Sequence, residues 1–503
     1  FSTEMIGSPD GGTLYFIDML GALIGTPLSW VFGPAVAYNG VLVLRVAAAG
    51  LGGQVLSESV VGRGPHNMVA GIAMATLPFM LAEMSNGISE VVAIHWVIWS
   101  LWAGHLAWQQ NTWASWRRAG IILGFTTVAS FYYGLVAGMV MSVLFLALGW
   151  RSIRSGFRPT WDACKHPVLA LGVAALVSVP CWLVFQWTLQ NDASLIIRPQ
   201  ELAVGWMLSH NAVDPRTYLM WGDFQSVDLA SYGEAFRHTG YLRWTVVFFA
   251  IVGVMKNPKL RPWAIAAIVS LLMGLGPMLY WGDWVQVGGR AVTLPFYWMQ
   301  VVLPDVAITH PLRLSVGGQI IVAVLAAGGV ASLSSRIVAP IIGLVVGLES
   351  VIMAPVQWPV PTSTAAIPDI YEGIPDGAVL DLPGSVGKTM ATSQYFWFQT
   401  RHGRPIPYSP NARLDSCRDL DVQSAFTDPY VRQSEHRVVE HPAKGPDLYQ
   451  KHLSTKYAAI VLHTNLEARA GLPSDYEPVL TTVFGPPQID GERKVWIFGE
   501  ARP

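Results

Sequence analysis

Basic charge falls in alternate gaps between long apolar runs, and no other feature constrains the fold of this chain as strongly. In order, Arg63, then Arg117 and Arg118, then Arg151, Arg154, Arg158 and Lys165, then Lys256, Lys259 and Arg261, then Arg336 occupy every second gap. The gaps between them are acidic or neutral: Glu83 and Glu90, the uncharged stretch 131–134, the long segment 190–240, and 282–311. Lys and Arg near the ends of membrane spans are retained on the cytoplasmic side, so this alternation sets a topology. The reading is a polytopic α-helical membrane protein whose larger loops and C-terminal region share the outer side.

Composition agrees with that reading. Of 503 residues, 52% are hydrophobic and 13% charged, against about 25% charged in a soluble domain. A net charge of −1 gives no global basic field, which excludes nucleic acid as a partner class. The 21 Trp suit the aromatic belts of a bilayer, although ordinary core packing accounts for such residues as well. Cys164, Cys181 and Cys417 fall in an inner loop, a span and the C-terminal region, so no disulfide is expected.

Roughly 20 apolar residues cross a bilayer core. Spans are expected near 35–58, 67–84, 90–108, 118–133, 135–150, 167–189, 241–255, 263–281, 314–333 and 338–356, which makes ten or eleven with the N-terminal region. The stretch 118–150 has basic flanks at both ends. One long helix would put one basic loop outside, whereas two short spans turning at Tyr133-Gly134 keep both inside. Two spans are expected.

Upstream, Leu14, Ile17, Leu20, Ile24, Leu28 and Val31 recur at helical spacing, with Asp18 on the same segment and Pro27 inside it. This is either an interfacial helix on the outer leaflet or a further span entering from the cytoplasm. The chain begins at Phe1, and a preceding span is expected, which leaves residues 1–34 outside. The transmembrane domain is read as 1–356, with outer loops at 1–34, 190–240 and 282–312. From 357 to 503 the composition changes. Short apolar runs at 378–382, 457–462, 478–483 and 495–498 alternate with turns, behind a linker stiffened by Pro359, Pro361 and Pro368. About 145 residues can hold a core of their own, and a small extracytoplasmic α/β domain is expected.

The run 382–389, ending Gly387-Lys388-Thr389, resembles the tail of a phosphate-binding loop. That pattern requires glycine where Leu382 stands, so an NTPase is set aside. Ionisable groups inside spans carry more meaning, because each costs roughly 2.5–3.5 kcal/mol at mid-bilayer. Arg45 lies in the first span and Glu349 in the last; each should face the bundle interior, to bind a lipid phosphate or to pair with another group. Glu90 and His95, five apart at the start of a span, can line one cavity without forming an i, i+4 metal pair. A hydrogen-bonded helix histidine is the plainer reading of His95. His310-Pro311-Leu312-Arg313 opens another span, with Arg313 suited either to a two-pronged grip on phosphate or to snorkelling. Asp10, before two glycines, has the setting of a turn residue, whereas Asp18 on an apolar stripe requires a partner or a function.

Taken together, Ser8-Pro9-Asp10-Gly11-Gly12-Thr13-Leu14-Tyr15, Phe32-Gly33-Pro34-Ala35-Val36-Ala37-Tyr38-Asn39, Asn86 with Glu90 and His95, and His310-Pro311-Leu312-Arg313 resemble bacterial membrane proteins of the GT-C glycosyltransferase type. The appended region from Pro375 to Pro383 is similar to theirs as well. The resemblance implies a bacterial inner-membrane enzyme of the cell envelope. Such an enzyme moves a sugar from a polyprenyl-phosphate carrier to an extracytoplasmic glycan, lipid or protein acceptor. It implies an acidic base in the first outer loop, for which Asp10 and Asp18 are the candidates. Arg45, Glu90, His95, His310 and Arg313 would bind substrate. Arg313, Arg45 or a bound divalent metal would offset charge on the departing phosphate, though no acidic cluster in the sequence demands a metal. The competing classes are a transporter or lipid flippase, with Arg45 and Glu349 as pathway residues, and a non-catalytic subunit of an envelope-assembly system. Against the transporter stands the lack of paired Gly/Pro-broken spans in corresponding halves.

Overall fold

A computed structural model of the chain describes residues 2–6, 8, 12–13, 18–154, 161–191, 213–220, 239–302, 308, 310–333, 337–353, 367–382, 392–408, 453–454, 457–465 and 476–498. The first elements are a two-residue pair of strands, β1 (Ser2–Thr3) and β2 (Gly12–Thr13). Helices α1 (Met19–Phe32), α2 (Pro34–Val61), α3 (Asn67–Ala75), α4 (Pro78–Ser85), α5 (Ser89–Val92), α6 (His95–Gln110), α7 (Trp113–Ala129), α8 (Phe131–Arg154) and α9 (Trp161–Asn191) follow. After the segment 192–212, which lies outside the described residues, come α10 (Trp244–Lys256), α11 (Arg261–Gly274), a small hairpin of β3 (Gln286–Val287) and β4 (Arg290–Ala291), α12 (Pro295–Val302), α13 (Val316–Ala331) and α14 (Val338–Ile352). Among the described residues, six stretches are long and apolar enough to cross a bilayer: 34–61, 67–85, 89–110, 131–150, 165–187 and 311–331. Each expected span overlaps a helix or a broken pair of helices, although the helix in the expected span 263–281 ends at Gly274 and Met278 and Tyr280 make β-bridges instead.

The breaks have local causes. Residues 113–154 do form two helices, but the turn falls at Ser130, three residues before the expected Tyr133-Gly134. Ser130 is extended (φ −160°, ψ 123°), and its carbonyl accepts from the amides of both Tyr133 and Gly134 at 3.0 Å. Gly134 then packs against Thr127, where a Cβ would collide, so its glycine serves close helix contact instead of the turn. Between α3 and α4, Pro78 ends the ladder. Arg243, which is 1% exposed with φ +70°, donates to the freed carbonyls of Ala73 (2.7 Å) and Thr76 (3.3 Å) and to the Ser350 hydroxyl (2.9 Å). A second break, at Ala93, corrects the expectation that Glu90 and His95 share one helix: Glu90 sits in the four-residue α5 and His95 is the first residue of α6.

α1 is 14 residues long, about 21 Å, and too short to span a core of about 30 Å. It folds back on α2 through Gly33 (φ +79°) and Pro34, placing Gly25 beside Val41 and Gly21 beside Arg45. Leu23, Ile24, Trp30, Val31 and Phe32 stay exposed, which fits an interfacial helix with its apolar face toward lipid. α13 lies at the centre, with every residue from Val316 to Val330 buried. It meets α10 so closely at Gly253, Gly328 and Gly329 that a Cβ at Gly253 or Gly329 would strike the facing backbone. That is how helices associate where apolar burial against lipid supplies no driving force.

The C-terminal domain has a four-stranded sheet in the order β5 (Ala378–Leu382), β6 (Tyr457–His463), β8 (Arg493–Ile497) and β7 (Gln488–Asp490). β5 and β6 run parallel; the other pairs are antiparallel. β5 and β6 are buried throughout, as their continuous apolar runs require. Helix α15 (Thr392–His402) packs Tyr395 and Phe398 into this core. The expected strand at 478–483 is instead helix α16 (Tyr476–Phe484). Leu480 and Phe484, four apart, pack against the core as a helical pair, and Pro478 sits in the first turn, where its missing amide costs nothing. The linker prolines Pro359 and Pro361, the motif residues 383–389 and Cys417 lie outside the described residues. Cys181 is a free thiol.

Candidate active site

Asp18 is the N-cap of α1, its carboxylate accepting from the Gly21 amide at 3.1 Å. Arg45 Nη2 lies 2.7 Å from both Asp18 oxygens, and the Ser89 hydroxyl donates to the same carboxylate at 3.0 Å. Arg45 Nη1 also donates to the Ser89 carbonyl. Gly21 is required here, because a Cβ would collide with both charged groups. The in-span arginine thus has its carboxylate partner, with Arg45 5% exposed. Four donor contacts thus converge on the Asp18 carboxylate.

Glu90 differs. Its carboxylate feels the charges of Arg313, Asp18 and Glu83, yet among the described residues no ion pair closes on it. Arg313, in the turn Pro311–Ser315, lies with its guanidinium carbon 5.2 Å from the centre of the Tyr132 ring, and its buried Nε has no hydrogen-bond partner. His95 is electrostatically coupled to Arg45 and Asp18, and its buried Nδ1 is likewise unpartnered. Asp18, Arg45, Glu90, His95 and Arg313 are therefore linked electrostatically, although they stand on α1, α2, α5, α6 and the Pro311 turn. His310 stands one turn before Arg313, its carbonyl accepting the Arg313 amide at 3.1 Å. Asp10 lies outside the described residues.

Four further residues belong to this group that the sequence reading did not single out as site residues. Tyr38, 45% exposed, feels Arg45, Glu90 and Asp18, and its hydroxyl donates to the Gly87 carbonyl at 3.4 Å. Ser89 bridges Asp18 and Arg45 as above. Tyr132 underlies Arg313. Tyr133 is wholly buried, with its hydroxyl on the Val91 carbonyl beside Glu90. Two adjacent tyrosines in an uncharged turn between spans were the one available signal. Among the described residues no three His, Cys, Asp or Glu side chains gather as a metal cage.

Glu349, in the last span, lies elsewhere. It accepts from the Trp244 and Thr245 amides at 2.6 and 3.2 Å and from the Tyr241 hydroxyl at 2.7 Å, capping the start of α10. A third polar cluster joins loop segments. Arg216 forks onto the buried Asp214 carboxylate, which also accepts from the Gly282 amide at 2.9 Å, while the guanidinium carbon lies 5.3 Å from the Trp281 ring centre. Burial works to raise the Asp214 pKa, but the bonds from Arg216 and Gly282 outweigh it and hold the carboxyl below its ordinary value.

No protein-family model matches the sequence, and no curated protein matches it. Among solved structures, the chain is similar to the crystal structure of the Archaeoglobus fulgidus oligosaccharyltransferase tethered with an acceptor peptide, at a TM-score of 0.44 and 12% identity. The likeness covers 96% of this chain and 64% of that one, so the chain spans less than two thirds of the length of the structure it matches.

Proposed function

We propose that this chain is a GT-C-type glycosyltransferase of a bacterial inner membrane, transferring a sugar from a polyprenyl-phosphate carrier to an extracytoplasmic acceptor. The observation that carries the reading is the unclosed pair of Glu90 and Arg313, a carboxylate and a guanidinium that feel each other without forming a salt bridge. An ion pair serving stability alone would close. One that stands open leaves room for a reacting group between the two charges.

In this reading Glu90 accepts the proton of an acceptor hydroxyl as its oxygen attacks the anomeric carbon. The bond from that carbon to the carrier phosphate breaks, its electron pair stays on the phosphate oxygen, and configuration inverts. Arg313, with an unpartnered N–H, takes up the charge that develops on the phosphate. His95 offers a further ring nitrogen. Asp18 serves as counter-ion to Arg45 and fixes it against Ser89.

The test uses the purified chain in lipid nanodiscs with a panel of synthetic polyprenyl-phosphate sugars, following release of carrier phosphate. Glu90→Gln should lower kcat about 100-fold or more with little change in KM. Arg313→Ala should raise KM for the carrier sugar about tenfold or more, because a charge-assisted phosphate contact is lost. A protein that releases phosphate from none of these donors, yet moves a lipid or solute across vesicles, would be a transporter.

A further inference from the structure

The segment just upstream of Asp18 is fastened to the C-terminal domain. The Met5 carbonyl accepts from the Ile406 amide at 3.0 Å and from the Gln399 side-chain amide, and the Ser8 amide donates to the Ile406 carbonyl at 3.1 Å. Ile6, 3% exposed, is part of the same hydrophobic core as Tyr371, Ile374 and Ile406. The receiving strip is itself held from behind. Gln399 also binds the Arg404 carbonyl at 3.1 Å, Arg404 reaches the carbonyls of Tyr371, Ile374 and Pro375, and the Val379 amide of β5 donates to the Pro405 carbonyl at 2.8 Å. From this anchorage a short stretch of chain runs to Asp18, which closes on Arg45.

We infer that the C-terminal domain positions Asp18. Docking of Met5, Ile6 and Ser8 fixes the chain upstream of Asp18, so the Asp18 carboxylate is presented to Arg45 at high effective concentration. Undocking would return it to a loop whose closure costs conformational entropy. Gln399 and Ile6 are positioning residues: neither touches the Asp18–Arg45 group, and both act on it through the chain between. The alternative is that the packing of α1 on α2 holds Asp18 unaided.

Hydrogen exchange on the full-length protein in nanodiscs, without substrate, separates the two and does not depend on whether sugar transfer occurs. The readout is the first turn of α1, where the Gly21 amide binds the Asp18 carboxylate and the Ala22 amide binds its carbonyl. In Ile6→Asp, the Met5–Ser8 strip should lose protection and the first turn of α1 should exchange about tenfold faster, while α13 is unchanged. If Ile6→Asp fails to fold, Gln399→Ala removes the side-chain donor to the Met5 and Arg404 carbonyls, leaves the two backbone bonds to Ile406, and should produce the same pattern in weaker form. First-turn protection that stays at the wild-type level once the strip is deprotected, in either variant, overturns the inference.

Discussion

The Glu349 carboxylate accepts the backbone amide of Trp244 at 2.6 Å, across 105 residues of sequence. A helix begins with amides that have no partner within it, and the positive end of its dipole faces the same way. A carboxylate inside a span, which by itself suggests a transport pathway, is here occupied as the cap of a neighbouring helix. Glu349→Gln keeps an acceptor but loses the charge. It should lower stability by about 1 kcal/mol, read as a drop in Tm of the purified protein without loss of assembly. A variant as stable as wild type would release Glu349 for another role.

Asp18 and Arg45 form a pair in which removal of one partner strands the other. Asp18→Asn should therefore destabilise strongly, by up to about 3 kcal/mol, and the double variant Asp18→Asn/Arg45→Gln should recover part of that loss. A double variant no better than the single one in thermal unfolding would mean that the pair contributes no coupling.

The C-terminal domain should weaken in acid through His402. Burial, first, and the nearby Arg404 lower its pKa from the ordinary 6.5, while Asp381 pulls the other way. The folded ring therefore resists a proton that the unfolded chain accepts. Stability from this group is complete above pH 6.5, declines as pH falls below it, and is gone once pH passes the lowered folded value. Protection of the β6 amides, corrected for the pH dependence of intrinsic exchange, should decline as pH falls below about 6.5, and His402→Gln should flatten that slope. An equal slope in both proteins would assign the acid sensitivity elsewhere.

Sidedness can be read with cysteine labelling. Val287, 70% exposed on β3, should label from outside intact cells as Val287→Cys. Lys259→Cys should label only after permeabilisation. Reversal of the two would invert the whole charge-based topology.

Much of the architecture was legible in the chain. Span positions follow from where apolar runs of bilayer length stop, because every backbone group in lipid must bond within its own helix. The short apolar runs at 378–382, 457–462 and 495–498 mark strands β5, β6 and most of β8. The run at 478–483 misled because its β-branched residues carry the same signal in a helix whose Leu480 and Phe484 face the core. The helix break at Ala93 left no proline or glycine to mark it.

The sequence alone determined which residues needed an explanation: Asp18, Arg45, Glu90, His95, Arg313 and Glu349 are too costly in apolar segments to be incidental. Their partners were a matter for tertiary structure. Arg45 meets Asp18 across 27 residues, Ser89 meets Asp18 across 71, and Trp244 meets Glu349 across 105. Pairings at such separations are set by how helices pack, through glycines that admit a neighbour's backbone and prolines that free carbonyls for a distant arginine. Local composition carries no record of them. It shows that a charge must be satisfied, and only the packed bundle decides that Asp18 is tied to its arginine while Glu90 closes no ion pair among the described residues.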